Sequence, residues 1–183
     1  AALTPTTSLF LFSSPCNPSG SVYTKDELAA LAGVFRKYPD VFIISDEIYE
    51  YINFVGKHES IAQFEDLKDR IIIINGLSKG YAMTGYRLGY IAAHPDVIKA
   101  CEKLQGQYTS GTNAVTQRGA IAALTGDLAP SIEMNKEFGR RRERMLGLLK
   151  AIPGIEIAEP DGAFYVFPVV TAYFGKKNGE ELI

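Results

Sequence analysis

Three short runs constrain the first half of the chain: "SLFLFSS" at 8–14, "VFIIS" at 41–45 and "RIIIIN" at 70–75. None alternates apolar with polar residues. A strand with one wet face shows that alternation, so these runs read as strands apolar on both faces, as in a parallel sheet covered on both sides. Between the first two lies "TKDELAALAGVFRKY". Thr24 suits a helix N-cap, and Asp26 and Glu27 suit the positive end that follows it. Leu28, Leu31, Ala32 and Phe35 recur at helical spacing, and Pro39 lies just beyond. Strand, helix and strand from 8 to 45 make a βαβ unit.

Downstream, "RLGYIAA" at 87–93 reads as a fourth strand. Only a loop joins it to the third, too little for a crossover, so it is expected to run antiparallel. Helices are expected at 95–105, 112–125 and 129–150, the last long and amphipathic. The stretch "GIEIAEPDGAFYVFPVV" reads as two short strands. The fold class is therefore α/β: a three-layer, mostly parallel sheet with one antiparallel strand. The change of pattern near 128–135 divides it into part of a large domain over 1–130 and part of a smaller α+β domain over 131–183.

Composition excludes several classes. The chain has 183 residues, 46% hydrophobic and 22% charged, with net charge -2. That balance is ordinary for a globular protein and carries no nucleic-acid footprint. No apolar run approaches the ~20 residues that span a bilayer. "AALTPTTSLF" has no basic region ahead of an apolar core, so no signal peptide is read there. Cys16, Cys101, His58 and His94 fall into no metal-ligand spacing, and no metal is expected. The expected setting is reducing and cytoplasmic.

In open α/β sheets, ligands bind beyond the carboxyl ends of the strands. After the first strand comes "SPCNPSG" with Asn17, and after the second "SDEIYE" with Asp46 and Tyr49. After the third comes "NGLSKG" with Ser78 and Lys79, and Arg87 begins the fourth. Each residue alone has an ordinary reading: turn asparagine, helix cap, solvated loop lysine, surface ion-pair arginine. Their convergence at one sheet edge is what needs explaining. A lysine amine forms a Schiff base with a carbonyl. A carboxylate keeps a pyridine nitrogen protonated, as pyridoxal phosphate requires to act as an electron sink. A phenol and an amide hold a phenolate oxygen, and an arginine fork with a serine hydroxyl holds a phosphate. Together these are the polar handles of pyridoxal phosphate.

The motifs "NPSG", "SDEIYE" and "SKGYAMTGYRLGY" resemble, in order and spacing, the signatures of class I/II aminotransferases of the fold-type I pyridoxal-phosphate superfamily. "PDGAFYVFP" is similar to that family's entry into its small domain. The likeness runs over roughly residues 8–170, nearly the whole chain. The resemblance implies that Lys79 binds the cofactor covalently and later shuttles a proton at the substrate Cα. It implies that Asp46 pairs with the ring nitrogen, Tyr49 and Asn17 with the 3-oxygen, and Ser78 and Arg87 with the phosphate. It further implies a cis Asn17–Pro18 bond, amino acid and 2-oxo acid substrates, and a homodimer. "QYTSGTNAVTQRGAIAAL" resembles the matching segment of bacterial aspartate aminotransferases, which implies aspartate and 2-oxoglutarate. The same stretch reads equally as a polar loop before a core helix that packs Ala120, Ala123 and Leu124 inward.

Other parts of the family's pattern are expected outside this chain: a glycine-rich phosphate loop, an aromatic residue stacked on the ring, and a tyrosine reaching in from a partner subunit. The arginine that grips the substrate carboxylate is expected there too. The chain is thus expected to be a central-to-late piece, with an exposed sheet edge, exposed apolar surface and weak activity by itself. Alternative readings are another fold-type I enzyme (lyase, decarboxylase or synthase) and an effector-sensing domain of a regulator. Arg140–Arg144 read as a solvated helix surface paired with Glu137 and Glu143. One of Phe164 and Tyr165 is expected in the core.

Overall fold

The computed structural model describes residues 3–175. The first sheet contains β1 (Leu9–Ser13), β2 (Phe42–Asp46), β3 (Ile71–Gly76) and β4 (Gly89–Ala92), side by side in that order. The first three are parallel and β4 runs antiparallel to β3, as expected. Ser13 pairs with Asp46 and Asp46 with Ile74, so β1 and β2 end at one level and β3 runs two residues further. α1 (Lys25–Phe35) crosses from β1 to β2, and the 3-10 segments Ile61–Gln63 and Glu65–Arg70 lead into β3. α2 (Pro95–Tyr108), α3 (Ala114–Thr125) and α4 (Ala129–Lys150) follow. A two-stranded antiparallel pair, β5 (Glu156–Ile157) with β6 (Pro168–Val169), and a 3-10 segment Thr171–Tyr173 complete the described chain.

Local chemistry sets these ends. Thr24 Oγ1 accepts from Glu27 N, and Glu27 Oε2 accepts from Thr24 N at 2.8 Å, a reciprocal capping box. Asn113 Oδ1 accepts from the amides of Val115 and Thr116, so α3 begins at 114, not at 112. β4 begins at Gly89, not at 87, because Arg87 takes a left-handed conformation with φ 54° that an extended strand cannot hold.

α1 covers one face of the sheet. Leu28, Ala32 and Phe35 pack on Phe12, Ile43 and Ile71, with Ile61 and Leu67 closing the side. Each large apolar side chain buried there contributes about 1.5–3 kcal/mol. The opposite face presents Leu9 and Leu11 at 51% and 64% exposure: strands apolar on both faces implied cover on both sides, and this face instead bears the exposed apolar surface expected of a partial piece. A second core lies at the strand ends, where Tyr49, Ile52 and Ala163 meet Met134 and Phe138 of α4.

A backbone clamp joins this second core to the loop after β1. Gly20 O accepts from the amides of Asp161 (2.8 Å) and Gly162 (2.9 Å). On the other side, Phe54 N donates to Asp161 O and Ala163 N to Ile52 O, both at 2.8 Å. Gly20 has φ +72°, and a Cβ there would lie 2.2 Å from Pro160 Cβ. Arg142 Nε donates to Pro160 O at 2.6 Å from a side chain only 16% exposed. The solvated reading of this run therefore holds for Arg140 and Arg141, which share Glu137, but not for Arg142. Helical phase turns Arg142 toward a carbonyl that sequence spacing does not reveal.

A buried polar cluster fixes the end of β2 from behind. Glu47, 4% exposed, accepts from Ser45 Oγ (2.9 Å) and Ser60 Oγ (2.7 Å) and lies 2.9 Å from His58 Nε2. Glu47→Ala strands these groups and is expected to cost about 3 kcal/mol in denaturant unfolding of the full-length polypeptide. Gly20→Ala is expected to cost about 1–3 kcal/mol through left-handed strain and the clash with Pro160. Gly33→Ala, inside α1 with no atom within 4 Å of the added Cβ, is expected to stabilise by about 0.5–1 kcal/mol.

Candidate active site

The common end of β1, β2 and β3 delivers three loops to one place. In the first, Ser14 N donates to Asp46 O, and Cys16 and Gly20 exchange a tight turn through Gly20 N to Cys16 O at 2.8 Å. The Ser14–Pro15 and Asn17–Pro18 bonds are both cis. This turn carries Asn17.

The second loop starts at Asp46, whose Oδ1 accepts from Ile48 N at 3.1 Å. That bond shapes the turn that buries Tyr49 at 3% exposure. The Tyr49 hydroxyl lies 2.6 Å from the Tyr165 hydroxyl, and its ring meets Phe164 edge-on at 5.3 Å. Burial pushes the Tyr49 phenol well above its ordinary value, and the Tyr165 bond and the nearby Asp46 charge add to that. Tyr49 is thus held as a neutral phenol.

The third loop bends back through Ala82 N to Lys79 O and Met83 N to Leu77 O, both at 3.1 Å. Gly80 lets the Tyr51 ring press on the backbone next to Lys79: a Cβ there would lie 2.5 Å from that ring. Lys79 Nζ stands 5.8 Å from the Tyr49 ring centre and 5.5 Å from that of Phe164, within cation–π range.

These loops enclose a cleft of about 410 Å³, within the ~300–1,000 Å³ range of small-molecule sites. Asn17, Asp46, Tyr49 and Lys79 line it together, with Tyr165 opposite and Leu11, Ser13 and Ile48 as wall. Ser78 and Arg87 stand outside that lining. Ser78 is half-buried beside Lys79. Arg87 is exposed, and its Nη1 donates to Thr84 O at 2.9 Å. A larger, mainly apolar hollow of about 560 Å³ backs onto Phe164 and Tyr165 from the α4 side. Its charged groups are Arg141 and Arg142, already engaged with Glu137 and Pro160, so the smaller cleft is the one with convergent free polar groups.

Sequence reasoning missed Tyr165, which reaches Tyr49 across a separation of 116 residues. The available signal was the apolar alternation at Phe164–Tyr165, which says that one ring turns inward but not toward what. The donor set fits a pyridoxal ring: a carboxylate for the ring nitrogen, a phenol and an amide for a ring oxygen, and an amine for the carbonyl. Among the described residues no helix is long and apolar enough to cross a membrane, and no cluster of possible metal ligands occurs.

Comparison with known proteins bears on this arrangement. The family profile described as "Aminotransferase class I and II" matches residues 1–182. The chain is similar to the aspartate/prephenate aminotransferase of Nitrosomonas europaea, 41% identical over 100% of this chain and 46% of that protein. It is similar to the aspartate aminotransferase of Bacillus subtilis, 45% identical over 91% of this chain and 43% of that one. The crystal structure of the aspartate aminotransferase from Rhizobium meliloti superposes with a TM-score of 0.91 at 37% identity, covering 95% of this chain and 44% of that one. The chain thus spans less than half the length of these relatives. The fold, the order of motifs and the extent of the match carry one conclusion: the chain belongs to the class I and II aminotransferases.

Proposed function

We propose that this chain forms the cofactor-holding part of a pyridoxal-phosphate-dependent aminotransferase. The reaction is amino transfer between aspartate and 2-oxoglutarate. The observation that carries the reading is the meeting of Asn17, Asp46, Tyr49 and Lys79 in one cleft at three strand ends. When bound, the cofactor supplies an electron sink for charge developing at the substrate Cα.

The chain's own groups do the rest. Lys79 would hold the cofactor covalently, and its amine, when free, would take and return the proton at the substrate Cα. Asp46 would pair with the ring nitrogen and keep its proton in place; its Oδ1 anchors the turn, which leaves Oδ2 for that contact. Tyr49 and Asn17 would donate to the ring oxygen. Ser78 and Arg87 would hold the phosphate. Arg87 spends only Nη1 on Thr84 O, and a guanidinium carries five N–H donors, so the remaining donors can meet phosphate oxygens.

Aspartate is favoured by the relatives, which are named for that substrate. A homodimer, cytoplasmic placement and a domain boundary near residue 130 complete the proposal. The two free cysteines, Cys16 and Cys101, suit a reducing compartment. The regulator and lyase readings have no observation of their own in this structure.

The test uses the full-length polypeptide. Pyridoxal phosphate is added, the visible band recorded, the adduct reduced with borohydride and the labelled peptide sequenced. Lys79 is expected to carry the label, and Lys79→Ala to abolish the band; a label on another lysine sinks the assignment. Asp46→Asn is expected to keep the label but lower amine transfer from aspartate by about 100-fold or more. Release of CO2 or ammonia in place of amine transfer would favour the lyase reading.

A further inference from the structure

Tyr165 takes no part in the roles assigned so far, yet it is built into the same cleft. The clamp described above holds residues 160–163 from both sides, through Gly20 O and through Ile52 O. Ala163, with no exposed surface and φ +57°, turns the chain so that the next two rings enter the site. Tyr165 Oη then lies 2.6 Å from Tyr49 Oη. Among the described residues this is the only hydrogen bond of the Tyr165 hydroxyl.

We propose that Tyr165 is a positioning residue of the cofactor site, acting through Tyr49: its phenol donates to Tyr49 Oη and so commits the Tyr49 proton to the ring oxygen of the cofactor. This rests on the cofactor reading above. The direction follows from proton counting. Each phenol has one proton, and one bond joins the two oxygens. If Tyr49 donated to Tyr165, it would have no proton left for a ligand. With Tyr165 as donor, the Tyr49 oxygen accepts one bond while its own proton points outward. A hydroxyl that accepts is also a stronger donor, by roughly 10–30% per bond. Burial, which holds Tyr49 in its neutral form, keeps it able to donate at working pH.

The effect is read in the cofactor's own proton. Donation to the ring oxygen stabilises its anionic form, so the nitrogen joined to Lys79 sheds its proton at lower pH. Weaker donation moves that transition to higher pH. The other charged groups around the pair are Asp46 and Lys79 within the cleft, and Arg141 and Arg142 of α4 behind Tyr165. Tyr165→Phe removes one oxygen and alters none of them.

The experiment titrates the visible band of the cofactor-loaded, full-length polypeptide against pH, for the unsubstituted protein, Tyr165→Phe, Tyr49→Phe and the double variant. Tyr165→Phe is expected to move the midpoint up by about 0.5 pH. Tyr49→Phe is expected to move it further, and the double variant to match Tyr49→Phe alone, because Tyr165 acts only through Tyr49. A normal band with an unmoved midpoint in Tyr165→Phe overturns this inference and leaves the cofactor reading standing. An equal shift from Tyr165→Phe in the Tyr49→Phe background also overturns it. If the unsubstituted protein shows no band, the cofactor reading falls and this inference falls with it.

Discussion

The in-register parallel pairing of β1, β2 and β3 is the constraint on which the rest depends. Parallel strands point their carboxyl ends the same way, and here Ser13, Asp46 and Ile74 stand at one level. The loops that follow have no choice but to meet. Asn17, Asp46 and Lys79 come from sites 29 and 33 residues apart in the chain, yet they line one cleft. A one-residue slip of β2 would turn Asp46 toward α1 and bring buried Glu47 to the cleft instead. The Glu47 cluster, tied to Ser45, His58 and Ser60, opposes that slip from behind.

The sheet's two faces have different tasks. The α1 face is a sealed apolar core that holds the register. The other face bears Leu9, Leu11 and Asp46, and the cleft opens at its carboxyl end. The Gly20–Asp161–Gly162 clamp then brings a segment from beyond α4 onto that opening. It is made of backbone bonds, which are geometrically strict, and it holds Phe164 and Tyr165 against Tyr49 and Lys79. Arg142 braces the same segment from α4. Stability and site geometry thus share the same few contacts.

Much of this was legible in the sequence for physical reasons. Apolar runs without alternation imply a parallel sheet, and a parallel sheet implies where its loops meet. That chain of inference led to Asn17, Asp46, Tyr49 and Lys79 without coordinates. What it could not reach depended on conformation or on distant contacts. Arg87 lies ahead of β4 because its backbone is left-handed, which no side-chain pattern announces. Arg142 is buried against a carbonyl that carries no sequence signature. Tyr165 meets Tyr49 only because a clamp folds the chain back, and clamps made of backbone amides are silent in a list of side chains.

The most direct measurement is a crystal structure of the full-length polypeptide with pyridoxal phosphate bound. The account predicts one ring in the cleft between β1, β2 and β3, joined to Lys79 Nζ. Asp46 should lie within hydrogen-bond distance of the ring nitrogen, and Asn17 and Tyr49 within that distance of the ring oxygen. A ring bound elsewhere, such as the apolar hollow beside α4, or one facing away from Asp46, would contradict it.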